Sequence, residues 1–280
     1  MKKNSILLLM TLFLFVPMAF AQVDDLSITS MPKTYIKRSK PVVNAALVYY
    51  GDFYTDADLE RVETLLKERF FLATDKALSL NVVMTKVIPF KNQLSDYPDY
   101  RQNYVTDPER LQRLWYYDNV GYEVVNEVYK QVQGDLKSLD TLLIVTGAQF
   151  DALGFASGRV AVTENPMEIA WGLSDGGRVE IQSDAKVVDE LIHELGHVMF
   201  LDHASNQCQK PGMTYQETLA CCADSPAKND VMSYCRQRDQ VNQNKFFGFE
   251  ACNLRNIKTK IVPAMLSGGK WNIENREKCL

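Results

Sequence analysis

Apolar residues recur along this chain with two periods, and the order in which the periods alternate predicts the fold. Leu47 to Tyr50 is a short β-rich run, and Ala57 to Phe71 then sets Leu59, Val62, Leu65, Leu66 and Phe70 at helical spacing. Leu80 to Ile88 reads as the next strand, followed by a polar, Tyr-rich stretch to Asp107. Pro108 suits the first turn of a helix that continues to about Gln133, with Val124, Val125 and Val128 on one side. A further strand is expected at Thr141 to Thr146. Gly154 to Thr163, punctuated by Gly154 and Gly158, reads as an edge strand, and Arg178 to Gln182 as a short strand after the Asp175-Gly176-Gly177 turn. A third helix pattern begins at Ser183 or Asp184 and runs to Met199, and a late one spans Phe247 to Met265 with an interruption near Pro263.

Strand, helix, strand, helix and then several strands imply an α/β (α+β) sandwich: a mixed twisted sheet packed on a backing helix and on the helix that begins near residue 184. No internal repeat or low-complexity linker divides the chain. The simplest partition is one domain over 41–280, with an upper part to about 200 and a smaller, cysteine-rich lower part over 201–280.

The first 21 residues have a different character. Lys2 and Lys3 precede an apolar run from Ile6 to Phe20, and Ala19-Phe20-Ala21 has the small-x-small form that signal peptidase accepts, leaving Gln22 as the mature terminus. An uncleaved anchor is the competing reading, but the run is short for a spanning helix. Removing two lysines takes the net charge from −4 to −6. That balance opposes nucleic-acid binding, which needs a basic footprint. No second long apolar stretch follows, so the mature form is expected to have no membrane span. Residues 22–40 are polar and read as a loose arm or a short pro-segment, with Lys37-Arg38 as a candidate processing site.

Six cysteines, Cys208, Cys221, Cys222, Cys235, Cys252 and Cys279, agree with export to a secreted or periplasmic location, where oxidation favours pairing. Six allow 15 connectivities. A bridge between the adjacent Cys221 and Cys222 would be strained, so these two are expected to find different distant partners. A second zinc cluster competes with the disulfide reading, although no CxxC pair is present.

The candidate chemistry lies on the helix beginning near residue 184. Val188, Leu191, Ile192, Leu195 and Met199 fall on one face at about 100° per residue, with His193 and His197 roughly opposite, one turn apart and pointing away from the core. Two imidazoles stacked in this way suit a shared Zn2+ ion, and in HExxH the intervening Glu194 stands beside the metal without ligating it. The chain has only three histidines, and all lie within the eleven residues HELGHVMFLDH. On an unbroken helix His203 would point about 280° from His193, so its participation predicts a turn near Phe200.

This string resembles the metzincin metalloproteases, whose pattern is HExxHxxGxxH followed by a methionine-containing turn. HELGHVMFLDH looks most like the matrixin form, and Asp230-Val231-Met232-Ser233-Tyr234 looks like the turn, with a Tyr two residues after the Met as in astacins and serralysins. Gly154-Phe155-Ala156 is similar to the cleft-edge strand of that family. Phe200 stands where the family has Gly, and a left-handed backbone at a residue with a side chain costs roughly 1 to 2 kcal/mol. A zinc site contributes on the order of 10 kcal/mol in small structural examples, enough to tolerate that cost.

The resemblance implies a secreted zinc endopeptidase acting on protein or peptide substrates as a monomer, with one catalytic zinc on His193, His197 and His203. Glu194 is then the general base toward a zinc-activated water. Met232 packs beneath the metal as a hydrophobic base, and Tyr234 is a resting ligand, an oxyanion donor or a core aromatic. Calcium occurs in matrixins and serralysins, but no acidic loop with ligand spacing supports it here. The cysteine form of latency is absent, since no cysteine precedes Cys208; Asp24 or Asp25 of a pro-segment would have to serve instead. Two alternatives stay open at this stage. One is a thermolysin-like peptidase with Glu217 as third ligand, and the other a secreted zinc-binding protein without turnover.

Overall fold

The computed structural model describes residues 37–51, 54–89, 120–132, 139–146, 154–157, 159–164, 167–169, 179–181, 184–204, 208, 212–225, 228–233, 235, 247–269, 271 and 277–279. The leader, most of the N-terminal arm, Pro108, Ser183 and Tyr234 lie outside these. Five strands form the main sheet: β1 (Val42–Tyr50), β2 (Ser79–Ile88), β3 (Thr141–Thr146), β4 (Gly154–Ser157) and β5 (Val160–Glu164), in the order β2-β1-β3-β5-β4. The first four positions in that order are parallel, and β4 closes the edge antiparallel to β5. A separate antiparallel pair is made by β6 (Met167–Ile169) and β7 (Val179–Ile181).

Parallel strands need crossover helices, so both sheet faces are covered and the central strands are apolar throughout. β1 shows this directly: from Ala45 to Tyr50 every residue is buried. Val43, Ala45, Leu47 and Tyr49 meet helix α1 (Asp56–Ala73) and helix α3 (Asp184–Val198) on one side. Ala46, Val48 and Tyr50 meet Val124, Val125, Val128 and Val132 of helix α2 (Val120–Val132) on the other. The mixed α/β architecture therefore has three layers, and α3 crosses the sheet at β5 and β4.

Three elements depart from the expectation. The segment 154–163 is two strands folded back through a turn at Arg159, because the glycine punctuation marks a boundary between strands rather than an irregularity within one. Helix α4 (Tyr215–Asp224) was not anticipated. It is started by a capping box in which Thr214 and Glu217 satisfy each other's backbone N–H groups. The late helix is continuous through Pro263: α5 (Ala251–Asn256) widens into a π turn (Ile257–Ile261) and resumes as α6 (Val262–Ser267). Proline has no N–H to bond the carbonyl four residues back, and the wide turn absorbs the mismatch instead of breaking the helix.

Six cysteines pair as Cys208–Cys221, Cys222–Cys235 and Cys252–Cys279. The adjacent cysteines take different partners, and none is free to form a thiolate metal site. Arg38 is drawn into the fold, with its guanidinium on the buried Asp140 at 2.5 Å and its backbone N–H on the Met265 carbonyl. Among the described residues no helix is long and apolar enough to cross a membrane.

Candidate metal centre

Helix α3 is buried on nearly its whole circumference, and this corrects the expectation that its histidine face looks away from the core. Val187, Val188, Leu191, Ile192 and Leu195 are fully buried, yet His193 is only 3% exposed and Glu194 4%. The opposite face is covered by the 230–233 segment, which joins the same hydrophobic core through Val231 and Met232. Arg69 of α1 ties the start of the helix, reaching Asp189 at 2.8 Å with both side chains largely buried.

The helix stops where the third histidine requires it to stop. Phe200 has φ +61°, in the left-handed region. Its N–H donates to the His197 carbonyl at 2.8 Å, and the N–H of Leu201 donates to the Gly196 carbonyl at 2.9 Å. These two bonds form a Schellman motif with Phe200 in the position that glycine usually fills. The reversal brings His203 back over the helix, where a continued α-helix would have carried it away.

As a result the Nε2 atoms of His193, His197 and His203 stand 3.2, 2.8 and 3.2 Å apart. The Nδ1 of His193 donates to the Val231 carbonyl at 2.8 Å, and that of His197 to the Leu201 carbonyl at 3.2 Å. A carbonyl can only accept, so Nδ1 carries the proton and the Nε2 lone pair is left pointing at its neighbours. Two such lone pairs facing the His203 Nε2 at this spacing favour a cation among the three rings. Nitrogens bound to zinc at about 2.0 to 2.1 Å in tetrahedral directions stand about 3.3 Å apart, so the triangle fits a zinc ion. The backbone carbonyls on the far ring nitrogens are the usual means of fixing ring orientation at such a site.

Glu194 reaches the opposite wall. A Cβ at Gly154 of β4 would fall 2.8 Å from the Glu194 Oε1 and 2.9 Å from its Cγ, so the carboxylate lies against the edge strand only because residue 154 has no side chain. Gly196, inside the HELGH string, does the same for Met232: any Cβ there would collide with the Met232 Sδ and crowd the Phe249 ring. Met232 itself is fully buried. Gly154 stood out in the sequence through its match to a cleft-edge strand, whereas nothing there distinguished Gly196.

Glu217 lies elsewhere. Its carboxylate accepts the Thr214 backbone N–H and hydroxyl, each at 2.7 Å, and these bonds hold its pKa below the usual carboxylate range. The cluster of converging donors contains the three histidines and does not include Glu217. A second trio, Cys208, Cys222 and Cys235, also converges, but each of its sulfurs is already in a disulfide.

Asp230 was read only as the first letter of the methionine turn. It is 2% exposed and accepts the N–H of Met232 at 2.7 Å and of Glu250 at 2.9 Å. An Asp two residues before a backbone N–H it can cap is an Asx-turn signal, and that was legible. Beside it, the Val231 N–H donates to the Gly248 carbonyl, and the Ala204 N–H to the Met232 carbonyl.

Solved structures similar to this one include an archaemetzincin from Methanopyrus kandleri, at TM-score 0.44 and 16% identity over 83% of this chain and 99% of that one. OgpA from Akkermansia muciniphila, in a catalytically inactive form with an O-glycopeptide substrate, is similar at TM-score 0.43 and 14% identity, over 81% of this chain and 63% of that one. A zinc-dependent peptidase from Methanocorpusculum labreanum gives TM-score 0.33 and 12% identity, over 75% and 98%. No family model and no curated protein matches the chain.

Proposed function

We propose that the protein is an exported, metzincin-like zinc endopeptidase, with His193, His197 and His203 holding one zinc ion and Glu194 acting as general base. The observation that carries this reading is the convergence of three Nε2 atoms, with the His193 and His197 rings fixed by backbone carbonyls and Glu194 on the helix that carries both. Bound zinc supplies Lewis-acid polarisation of a scissile carbonyl and acidifies an attacking water. Glu194 takes the proton from that water and returns it to the leaving amine. Burial against Gly154 keeps the carboxylate in one orientation and away from bulk solvent. Tyr234 donates a hydrogen bond to the developing oxyanion, a role taken from the DVMSY resemblance. The substrate is a protein or peptide. Three disulfides and the leader support export, and the enzyme is taken to act as a monomer.

The test is the zinc content of purified, oxidised protein for wild type, His203→Ala, Glu217→Gln and Glu194→Ala, with casein cleavage assayed alongside. One zinc is expected in wild type, Glu217→Gln and Glu194→Ala, and none in His203→Ala. Cleavage should fall by roughly 10² to 10⁴-fold in Glu194→Ala with its zinc retained. Full cleavage by that variant would falsify the general-base role. Zinc bound by wild type without any cleavage would leave a binding protein.

A further inference from the structure

The two segments that carry the hydrogen-bond partners of the histidines, 199–204 and 230–233, are fastened to the C-terminal helix at one place. The carboxylate of Asp230 holds the N–H groups of Met232 and Glu250, the second of these directly before α5. Val231, between Asp230 and Met232, is bound from its other side by the Gly248 carbonyl at 2.8 Å. With the peptide fixed at both ends, the Val231 carbonyl has one orientation, and that carbonyl takes the His193 Nδ1 proton.

Asn253, 1% exposed, sits in the first turn of α5. Its amide donates to the Asp202 carbonyl at 3.1 Å, immediately before His203. Its own Oδ1 is buried without a hydrogen-bond partner. Burying an acceptor unpaired is unfavourable, so what the side chain contributes is the bond its NH₂ group makes. The Cys279 N–H adds a longer bond, 3.5 Å, to the Asp202 carboxylate.

We propose that Asp230 and Asn253 are positioning residues for the histidine cluster, Asp230 through the Val231 carbonyl that orients His193, and Asn253 through the Asp202 segment that presents His203. The inference rests on reading the three histidines as zinc ligands. Neither residue belongs to the converging donor set. Both act on the backbone that carries the ligands, and residues of this kind typically change metal affinity 10- to 100-fold when removed.

The experiment is zinc competition against a chromophoric chelator for wild type, Asp230→Asn, Asn253→Ala and Val124→Ala, with unfolding measured on the same samples. Val124 is fully buried in the core on the far face of the sheet and serves as the stability control. Asp230→Asn can accept only one of the two N–H groups, and Asn253→Ala loses the bond to the Asp202 carbonyl. Both should weaken zinc about 10- to 100-fold, while Val124→Ala loses stability with zinc affinity within two-fold of wild type. Cobalt-substituted Asp230→Asn and Asn253→Ala should show shifted d–d bands, which a loss of stability alone does not produce. If either variant does not fold, Asp230→Glu or Asn253→Ser carries the same expectation in milder form. Wild-type affinity and an unchanged cobalt spectrum in folded variants would overturn the inference. Absence of zinc binding by wild type would overturn the reading on which it rests, and the inference with it.

Discussion

Phe200 holds a left-handed backbone that only glycine adopts without steric cost, and two of the site's features depend on it. The reversal at Phe200 returns His203 to the helix, and it aims the Leu201 carbonyl at His197. Replacing the residue by Gly or by Ala removes the same ring, but only Gly relieves the backbone. Urea unfolding should therefore find Phe200→Gly more stable than Phe200→Ala by about 1 kcal/mol, at equal zinc content. Equal stabilities would mean that the turn is unstrained. Asp230 makes a different demand. Burial pushes its carboxyl up to about 6, against an ordinary value of 3.8, even though two backbone N–H groups and Asn253 favour the charged form. The folded protein then binds this proton more tightly than the unfolded chain, so the group's contribution is fully present below about pH 4 and is lost as pH rises through 6. With chelator present, the stability of wild type relative to Asp230→Asn should decline from pH 4 to pH 7. A difference that stays flat across that range would show the carboxyl to be unperturbed.

At the scale of elements, a residue's role is decided by the segment that holds it. Glu217 has the right chemistry for a zinc ligand, and sequence spacing alone kept it open beside His203. The carboxylate is instead the N3 member of the capping box that starts α4. Glu217→Ala should lower the melting temperature by loss of that cap, with zinc content unchanged, whereas Glu217→Gln preserves the box and should lower it less. The Thr214-Tyr215-Gln216-Glu217 signature was present in the sequence, but no long apolar periodicity followed it to mark a helix. Helices α1 and α3 were legible because their buried faces repeat at 3.6 residues over four or more turns. The three histidines were legible as a metal cluster because the chain gathers them in eleven residues. What covers the histidine face was not. That Val231 and Gly154 support His193 and Glu194 depends on chain returns of up to 40 residues, and local pattern carries no record of them. The β4–β5 hairpin was merged into one strand for the same reason, since only the pairing with β3 and β4 reveals that residues 154 and 163 face each other.

Across the whole molecule the covalent bonds are concentrated in the last third of the chain, all three bridges lying after residue 207. There the methionine turn and the C-terminal helix reach back into the main core through Val231, Met232, Ile257, Ile261 and Met265, while Cys208, Cys222 and Cys235 form a small buried cluster of their own at α4. Cys222–Cys235 links α4 to the end of the methionine turn, and Cys252–Cys279 closes the C-terminal tail over the helix that carries Asn253. In the chain-entropy model a loop near 15 residues is worth roughly 3 kcal/mol, and doubling the loop adds about 0.6 kcal/mol. Cys252→Ser/Cys279→Ser should thus destabilise slightly more than Cys222→Ser/Cys235→Ser, whose loop has a separation of 13 residues against 27. The two losses should also differ in kind. Opening Cys252–Cys279 frees the tail that bonds Asp202 and loosens the mounting of His203, so zinc affinity should fall together with stability. Chelator competition on Cys252→Ser/Cys279→Ser, which leaves the other two bridges closed and frees no thiol, should show that fall. If zinc affinity is unaffected in that variant while the melting temperature drops, this bridge braces the C-terminal part alone, and the mounting of His203 does not depend on it.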